Sequence, residues 1–495
     1  MLGTYFTFPE LLLWIPLIAG IVAFFIKNEK AVKAWSLIAS LIILAVSVVG
    51  LCYSDSSKYL SYNQVSYYWL KYLGNSFHLG LDGTGHLLSF LTALAYPLIF
   101  LYSYNRKWQN ANNYFGLMLL TQAGIMGVFS AMDALLFYFF WELALIPAYF
   151  LCSIWGGKQK IATTFKFFVY TFTGSLLMLT GIIYIYLHTG PRIFEDTTQA
   201  AHNFGMLAFQ HANLSGAEQG WLFWLFFAAF AVKIPVWPLH TWQPDTYDQT
   251  ETSVVMVLSG LMVKMGLFGV MRWMLPVVPE GVSQYGNVAI ILAVIGIIYA
   301  SCVAMVQDNL KKLVAYSSIA HLGLMTAALF SQTELGVQGV IVQMFNHGVN
   351  VIGFWIVVDI LIKKSGVKFI SELGGVAIKA PALTIMMIII GLANIGLPLT
   401  NGFVGEFLMY GGLFQYNYVF AAISILAIIL SAVYVLGMIR KVFYGNVSEA
   451  ASKMTDLTTY EKIALGVVVI IIFITGVYPQ PIIELTKNAT ALLVK

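Results

Sequence analysis

The chain has 495 residues, of which 59% are apolar and only 10% are charged. A soluble domain is about 25% charged, so a chain this apolar cannot cover a soluble surface and must have lipid as its solvent. The formal net charge of +4 is too small to indicate a protein that binds nucleic acid.

Apolar runs long enough to cross a bilayer recur from one end of the chain to the other. A transmembrane helix needs about 20 mostly apolar residues, and fourteen spans are predicted. Their approximate bounds are 9–26, 34–53, 86–104, 113–131, 133–155, 162–188, 221–240, 252–275, 287–306, 314–331, 336–362, 381–410, 418–440 and 461–485. The sequence therefore predicts an all-α polytopic membrane protein with a single integral-membrane domain, residues 1–495. The first run lacks a preceding basic region, so we expect a retained span rather than a signal peptide.

Basic residues are distributed unevenly between the two sets of loops. The loops after odd-numbered spans contain most of the lysines and arginines, including Lys27, Lys30, Arg106, Lys107, Lys158, Lys160, Lys311, Lys312, Lys363, Lys364, Lys368, Arg440 and Lys441. Loops rich in lysine and arginine stay in the cytoplasm. The sequence thus predicts a multi-pass protein of the bacterial inner membrane with both termini on the periplasmic side.

Two spans are interrupted by proline in matching ways. Span 7 contains Lys233-Ile234-Pro235 followed by Pro238, and span 12 contains Gly396-Leu397-Pro398. Proline removes a backbone hydrogen bond and breaks or kinks a helix. Two breaks five spans apart predict an inverted five-helix repeat, residues 113–275 and 287–440, and such paired breaks point to a transport pathway. The alternative is two unrelated kinks.

Four ionisable residues lie well inside predicted spans, namely Glu142, Lys233, Lys264 and Glu406. A charge at mid-bilayer costs several kcal/mol, so each one is a candidate functional residue. A carboxylate about 4 Å from a lysine favours the charged lysine by about 4 kcal/mol at an effective dielectric near 20. Movement of Glu142 relative to Lys233 would therefore switch the lysine between holding and releasing a proton. The alternative is a static ion pair that holds helices together.

Two histidines lie in spans 10 and 11, between the lysines and Glu406 in sequence. His321 follows Ser317 by one helical turn, and His347 shares a helix face with Gln343 and Asn350. Imidazole titrates near neutral pH, so both are predicted proton carriers. The alternative is a role in helix packing. A third histidine, His240, is seven residues after Lys233 and is predicted to share its helix face.

The three cysteines, Cys52, Cys152 and Cys302, are interpreted as small buried residues. They form no CxxC pair and have no metal-ligand spacing. We expect no iron–sulfur cluster, haem or disulfide in this chain.

Several motifs together resemble the antiporter-like family shared by respiratory complex I and Mrp-type cation/proton antiporters. The resemblance extends over nearly the whole chain. It rests on Trp141-Glu142-Leu143, Ala231 through Trp242, Lys264-Met265-Gly266, Asp308 through Gly323, Asn346-His347-Gly348 and Gly396 through Phe407. The family's members pump protons, which implies Glu142 and Lys233 as a switching pair, Lys264 as the central relay, His321 and His347 on the connecting polar axis, and Glu406 as the terminal, exit-side carboxylate.

Within this family, a glutamate at the break of span 12 resembles the M-type branch of complex I, because the L and N branches usually place lysine there. The chain also ends soon after span 14, without the lateral helix expected of the L-type branch. The resemblance implies L-type and N-type membrane subunits as partners, with NAD, FMN, iron–sulfur clusters and quinone bound by other subunits and no cofactor in this chain.

One segment departs from the family pattern. Gln243, Thr246, Tyr247 and Thr250-Glu251 replace its usual residues, and Phe268 stands where tyrosine is common. We expect a different loop shape there and transfer no role to Tyr247.

Three rival functions remain open: an Mrp-type sodium/proton antiporter subunit, a membrane-bound hydrogenase subunit, and a passive assembly scaffold.

Overall fold

The computed structural model describes residues 6–55, 58–193 and 199–494, and it is dominated by long helices. They are α1 Phe8–Phe25, α2 Glu29–Cys52, α3 Gly83–Ser103, α4 Ala111–Ser130, α5 Ala134–Trp155, α6 Lys160–Leu187, α7 Gly216–Lys233, α8 Thr252–Met274, α9 Pro279–Met305, α10 Leu310–Phe330, α11 Glu334–Ser365, α12 Pro381–Ile395, α13 Asn401–Tyr416, α14 Tyr418–Phe443, α15 Thr459–Val477 and α16 Gln480–Ala491. Short helices occupy Leu60–Asn63, Met206–Gln210, Trp242–Gln249, Val376–Lys379 and Glu449–Ser452. The polytopic helical architecture is confirmed.

Eleven helices in the described ranges are long and apolar enough to cross a membrane. The predicted total of fourteen is therefore not confirmed. The three remaining predicted spans correspond to α4, which contains polar residues, to α7, which stops at the first break, and to the α12–α13 pair, which the second break divides. The predicted five-helix repeat stays a prediction.

The last predicted span, 461–485, is wrong at its end. Helix α15 stops at Val477, and α16 begins at Gln480 on the other side of Pro479. Proline restricts the preceding residue and lacks the N–H that would continue the ladder, so the chain turns here. Helix α16 then packs on α11, where Gln338 Nε2 donates to Thr486 Oγ1 over 2.8 Å and Thr490 Oγ1 donates back to Gln338 Oε1 over 3.0 Å.

Small strands accompany the helices. Strands β1 (Gln64–Tyr68) and β2 (Ser76–Gly80) form an antiparallel hairpin that pairs Gln64 with Gly80, and β3 (Arg192–Ile193) pairs with β4 (Gln199–Ala200). The hairpin is bonded to α1 through Glu10, whose carboxylate accepts from Tyr67 and Thr7 hydroxyls, each over 2.7 Å. Glu10 thus caps a helix, which explains an acidic residue near a membrane end.

Helix α11 lies at the centre of the bundle. It is buried along nearly its whole length and packs against α8, α10, α12, α13 and α15. Helices α2, α14 and α15 lie outside and expose isoleucine, leucine and valine side chains along their outer faces. Apolar residues thus face outward as well as inward, as expected for a protein in lipid, and polar residues are concentrated on the enclosed helices.

Loops that follow α3, α7, α9 and α11 meet on one side of the molecule, called here the lysine-rich face. Asp248 accepts from Asn309 Nδ2 over 2.7 Å and from Lys368 Nζ over 3.0 Å, which joins three of these loops. Burial alone would raise the pKa of Asp248, but these hydrogen bonds and the lysine charge hold it below its usual value. This anchor is therefore ionised at neutral pH. The opposite side, with α16 and the hairpin, is the lysine-poor face.

Candidate functional site

The first helix break places Lys233 in the protein interior. Helix α7 ends at Lys233, and the following residues turn before the short helix Trp242–Gln249 begins. Trp242 Nε1 donates to the Val232 carbonyl over 2.9 Å and so satisfies a group near the end of the helix. The Lys233 side chain is 2% exposed, its Nζ has no hydrogen-bond partner, and it lies 5.4 Å from the Trp141 ring centroid.

The same break overturns the placement predicted for His240. A seven-residue spacing aligns two side chains only on a continuous helix, and here the helix stops at Lys233. His240 instead packs edge-on against Tyr299 of α9, with ring centroids 5.1 Å apart.

Glu142 lies half-buried in the middle of α5, next to Trp141. Its Oε1 is buried without a hydrogen-bond partner, as is Lys233 Nζ, and the described structure contains no ion pair between the two. Their side chains are near enough to interact electrostatically but do not touch. The structure thus shows the predicted switching pair in a separated arrangement.

Lys264 lies beside a widened turn of α8. Residues Leu258–Met262 form a π-helical turn, and Lys264 lies two residues after its end. Such turns interrupt the regular ladder and occur frequently at functional sites. The Lys264 side chain is fully buried, and its Nζ donates to the Ser259 carbonyl over 2.9 Å and lies 2.8 Å from His347 Nδ1. Lysine and histidine are therefore in direct hydrogen-bond contact inside the membrane.

The protonation of His347 is linked to both of its neighbours. When Lys264 donates, Nδ1 must accept, and the proton of a neutral imidazole is then on Nε2. That nitrogen lies 3.3 Å from Ser318 Oγ. When the lysine is neutral, the hydrogen bond can be reversed, so that His347 Nδ1–H donates to Lys264 Nζ. The contact therefore allows proton exchange without movement of either helix.

His321 connects this pair to the second helix break. Its ring centroid lies 5.7 Å from that of His347, and its Nδ1 lies 3.3 Å from Glu406 Oε1. The second contact is close, although Glu406 Oε1 forms no hydrogen bond in this arrangement.

Glycines let the Glu406 carboxylate lie against the broken helix. Gly396 ends α12 at φ = 79°, a left-handed conformation that favours glycine. A Cβ on Gly396 would lie 2.5 Å from Glu406 Oε2, and one on Gly402 would lie 2.0 Å from the Ala393 carbonyl oxygen. Any larger residue at either position would displace the carboxylate or the break.

Amides of α11 satisfy backbone groups that the second break leaves open. Asn346 Nδ2 donates to the Asn401 carbonyl over 2.7 Å, and Asn350 Nδ2 lies 3.5 Å from the Ala393 carbonyl. A broken membrane helix is stable only where neighbouring side chains or water take over its freed groups. Residues on either side of His347 therefore hold the break in place.

The structure brings four of the six predicted site residues into one line: Lys264, His347, His321 and Glu406. Lys233 and Glu142 lie on the neighbouring helices α7 and α5 and do not touch that line directly. Helices α7 and α8 pack closely, since a Cβ on Gly266 would lie 3.2 Å from the Ile234 nitrogen. The functional roles of all six residues stay predictions.

Sequence reasoning missed a second buried charge cluster near the lysine-rich face. Arg106 forms an ion pair with Asp359 of α11, and its Nη1 lies 2.7 Å from Glu251. Tyr102 donates to Asp359 over 2.6 Å, and Lys363 lies 3.1 Å from it. The sequence feature that could have revealed this cluster is Asp359, a carboxylate within predicted span 11. Glu251 comes from the atypical segment 243–251, which therefore forms an electrostatic anchor here.

The cysteines do not share one environment. Cys152 is buried as predicted, but Cys52 and Cys302 are exposed on α2 and α9, so that prediction is wrong for two of the three. Both lie on outward-facing sides of helices that border the bundle.

Comparisons with known proteins agree with these features. Residues 131–431 match the family model described as NADH:quinone oxidoreductase/Mrp antiporter, transmembrane. NADH-quinone oxidoreductase subunit M of Rickettsia typhi is 36% identical over 484 residues, covering 95% of each chain. A chain of respiratory complex I from Thermus thermophilus superimposes with a TM-score of 0.87 at 26% identity, covering 98% of this chain and 99% of that one. A chain of the Mrp complex from a Dietzia species shares the fold, with a TM-score of 0.85 at 18% identity, covering 98% and 97%.

Proposed function

Because the chain belongs to the NADH:quinone oxidoreductase/Mrp antiporter family of membrane proteins, we propose that it is the M-type proton-translocating subunit of a respiratory complex I. The observation that supports this most strongly is the buried line from Lys264 through His347 and His321 to Glu406. Ionisable groups are costly in a bilayer, and a contiguous series of them suits proton transfer.

Each member of the line has a distinct part. Lys264 and His347 exchange a proton across their 2.8 Å contact, and His321 passes it between His347 and Glu406. Lys233 and Glu142 form the switch that controls the line. When Glu142 approaches Lys233, the charged lysine is favoured, and when they separate, as in the present structure, the lysine releases its proton more readily. Conformational changes driven from elsewhere in the complex supply the movement.

The lysine-rich face is the cytoplasmic side under the positive-inside rule, which puts both termini on the periplasmic side of a bacterial inner membrane. Protons then move from the lysine-rich face to the lysine-poor face. The partners are the L-type and N-type antiporter-like subunits. NAD, FMN, iron–sulfur clusters and quinone belong to other subunits, so this chain contributes to the translocase without redox chemistry of its own.

The Mrp-type antiporter subunit shares the fold, so fold alone does not separate the two functions. Two features favour complex I: the full-length similarity to a subunit M at 36% identity, and the glutamate rather than lysine at the second break. A passive scaffold would not require a lysine in hydrogen-bond contact with a histidine at the membrane centre.

Purification of the tagged chain with its native partners tests the proposal. We expect NADH- and quinone-handling subunits to co-purify, and reconstituted vesicles to acidify when NADH and quinone are supplied. Recovery of small antiporter partners, with sodium/proton exchange and no NADH-dependent acidification, would assign the chain to the Mrp-type class instead.

A further inference from the structure

A void too small for more than one water lies beside Glu406. Its volume is 10 Å³, about the minimum for a single water molecule. Ser301, His321, Glu406, Tyr410 and Tyr434 are among the residues that line it.

Two residues that line this void have a polar atom without a hydrogen-bond partner. Ser301 Oγ and Glu406 Oε1 are both buried with no hydrogen-bond partner. Leaving a buried polar atom without a partner destabilises the fold, and a bridging water removes that cost. A buried water makes about two to four hydrogen bonds to such polar groups. The void therefore fits one bound water in contact with the Glu406 carboxylate.

A larger cavity approaches the same place from the lysine-rich face. It has a volume of 420 Å³, and its lining includes Gln307, Arg440 and Lys441, which mark its position at that face. Tyr434 of α14 lines both this cavity and the void. The buried Tyr434 therefore lies between the cavity and the water site.

The hydroxyl of Tyr434 also joins the proton line. It lies 2.9 Å from Ser317 Oγ, which accepts from Asn394 Nδ2 over 3.2 Å, and the same amide nitrogen lies 3.4 Å from His321 Nε2. Asn394 is in the last turn of α12, directly before the second break. These contacts hold the Tyr434 hydroxyl beside the second break, close to His321.

We propose that Tyr434 is a gate through which Glu406 receives protons from the lysine-rich face, by way of the cavity, the Tyr434 hydroxyl and the single water. This deepens the proposed function and rests on it. It changes the role of Glu406 from the exit-side carboxylate expected from sequence to a loading site, with the proton then moving to His321, His347 and Lys264.

Carbodiimide labelling tests the route without requiring turnover, because the reagent modifies protonated carboxyl groups that it can reach. A water-soluble, membrane-impermeant carbodiimide would be added to the intact complex in membranes, from each face in turn, and modification of Glu406 measured by mass spectrometry. Tyr434→Ala removes the ring between cavity and void. Tyr410→Ala removes a ring of the same size from another wall of the void and is the matched control.

In Tyr434→Ala we expect Glu406 to be modified at least about tenfold faster from the lysine-rich face than in the parent or in Tyr410→Ala, with no change from the lysine-poor face. Equal rates in the two alanine variants, or faster modification from the lysine-poor face, would overturn the gate.

A second variant covers the case in which the alanine substitutions disturb folding. Tyr434→Phe keeps the ring and removes only the hydroxyl, so it should assemble normally but translocate protons several-fold more slowly per complex. Full-rate translocation in Tyr434→Phe would also overturn the proposal. Failure of the parent complex to acidify vesicles would instead count against the proposed function.

Discussion

Lys264 Nζ and His347 Nδ1 lie 2.8 Å apart at the centre of the membrane domain, although 83 residues separate them in sequence. Neither side chain forms an ion pair with a carboxylate in the described structure. The two bases thus share one hydrogen bond in a region where a second positive charge would have no counter-ion. The pair therefore favours holding one additional proton at a time, which is the property that a relay needs.

Replacement of Glu406 tests the importance of its charge. Glu406→Gln preserves the shape beside Gly396 but cannot ionise, and we expect proton translocation per assembled complex to fall at least about tenfold. Glu406→Asp keeps the carboxylate on a shorter arm and should retain part of the activity. The assay is vesicle acidification normalised to assembled complex. Parent-level activity in the glutamine variant would make Glu406 structural.

The histidines should act as proton carriers rather than as packing residues. His321→Gln and His347→Gln keep hydrogen-bonding capacity but remove the ability to take up a proton near neutral pH. We expect reduced acidification with an unchanged thermal unfolding midpoint. His240→Gln is the matched control, since that ring packs on Tyr299 outside the line. A large loss of stability with acidification per complex intact would favour the packing role.

Lys233 should be dispensable for assembly but needed for coupling. Its Nζ makes no hydrogen bond in this structure, so Lys233→Ala breaks no direct bond. We predict normal complex assembly and a severe loss of coupled proton transfer, and a similar loss in Glu142→Gln. Assembly on native gels and acidification per quinone turnover would be measured together. Normal acidification per turnover in both variants would remove the pair from the mechanism.

The Arg106–Asp359 cluster should stabilise the fold. Asp359 is 3% exposed, and removal of one partner from a buried ion pair costs about 3–5 kcal/mol. Asp359→Asn should therefore lower the thermal unfolding midpoint clearly. Lys363→Ala removes a charge whose side chain is 43% exposed and should cost about 0–1 kcal/mol. Equal effects of the two substitutions would show that the cluster does not anchor α11.

The sequence predicted the site residues that can be recognised from their immediate neighbours in the chain. Glu142, Lys233, Lys264 and Glu406 are charges in apolar runs, and prolines mark both breaks. Contacts between helices could not be predicted in the same way, because the spacing of residues along one helix does not determine which side chains of another helix they contact.

The errors have specific physical causes. His240 was misplaced because a helical face was extended past a helix end, and the last span was extended across Pro479. Asp359 was overlooked although it lies within a span. The separation of Glu142 from Lys233 depends on the conformation of the protein, so a pattern of residues in the sequence could not predict it.

The central claim is that Lys264 relays protons along the buried line, and Lys264→Met tests it most directly. Methionine has similar length and no charge. The same substitution at Lys379, an exposed residue of the lysine-rich face, is the control. Proton translocation per turnover and per assembled complex would be measured in reconstituted vesicles. We predict parent-level translocation in Lys379→Met and less than about a tenth of it in Lys264→Met. Undiminished translocation in an assembled Lys264→Met complex would contradict the account.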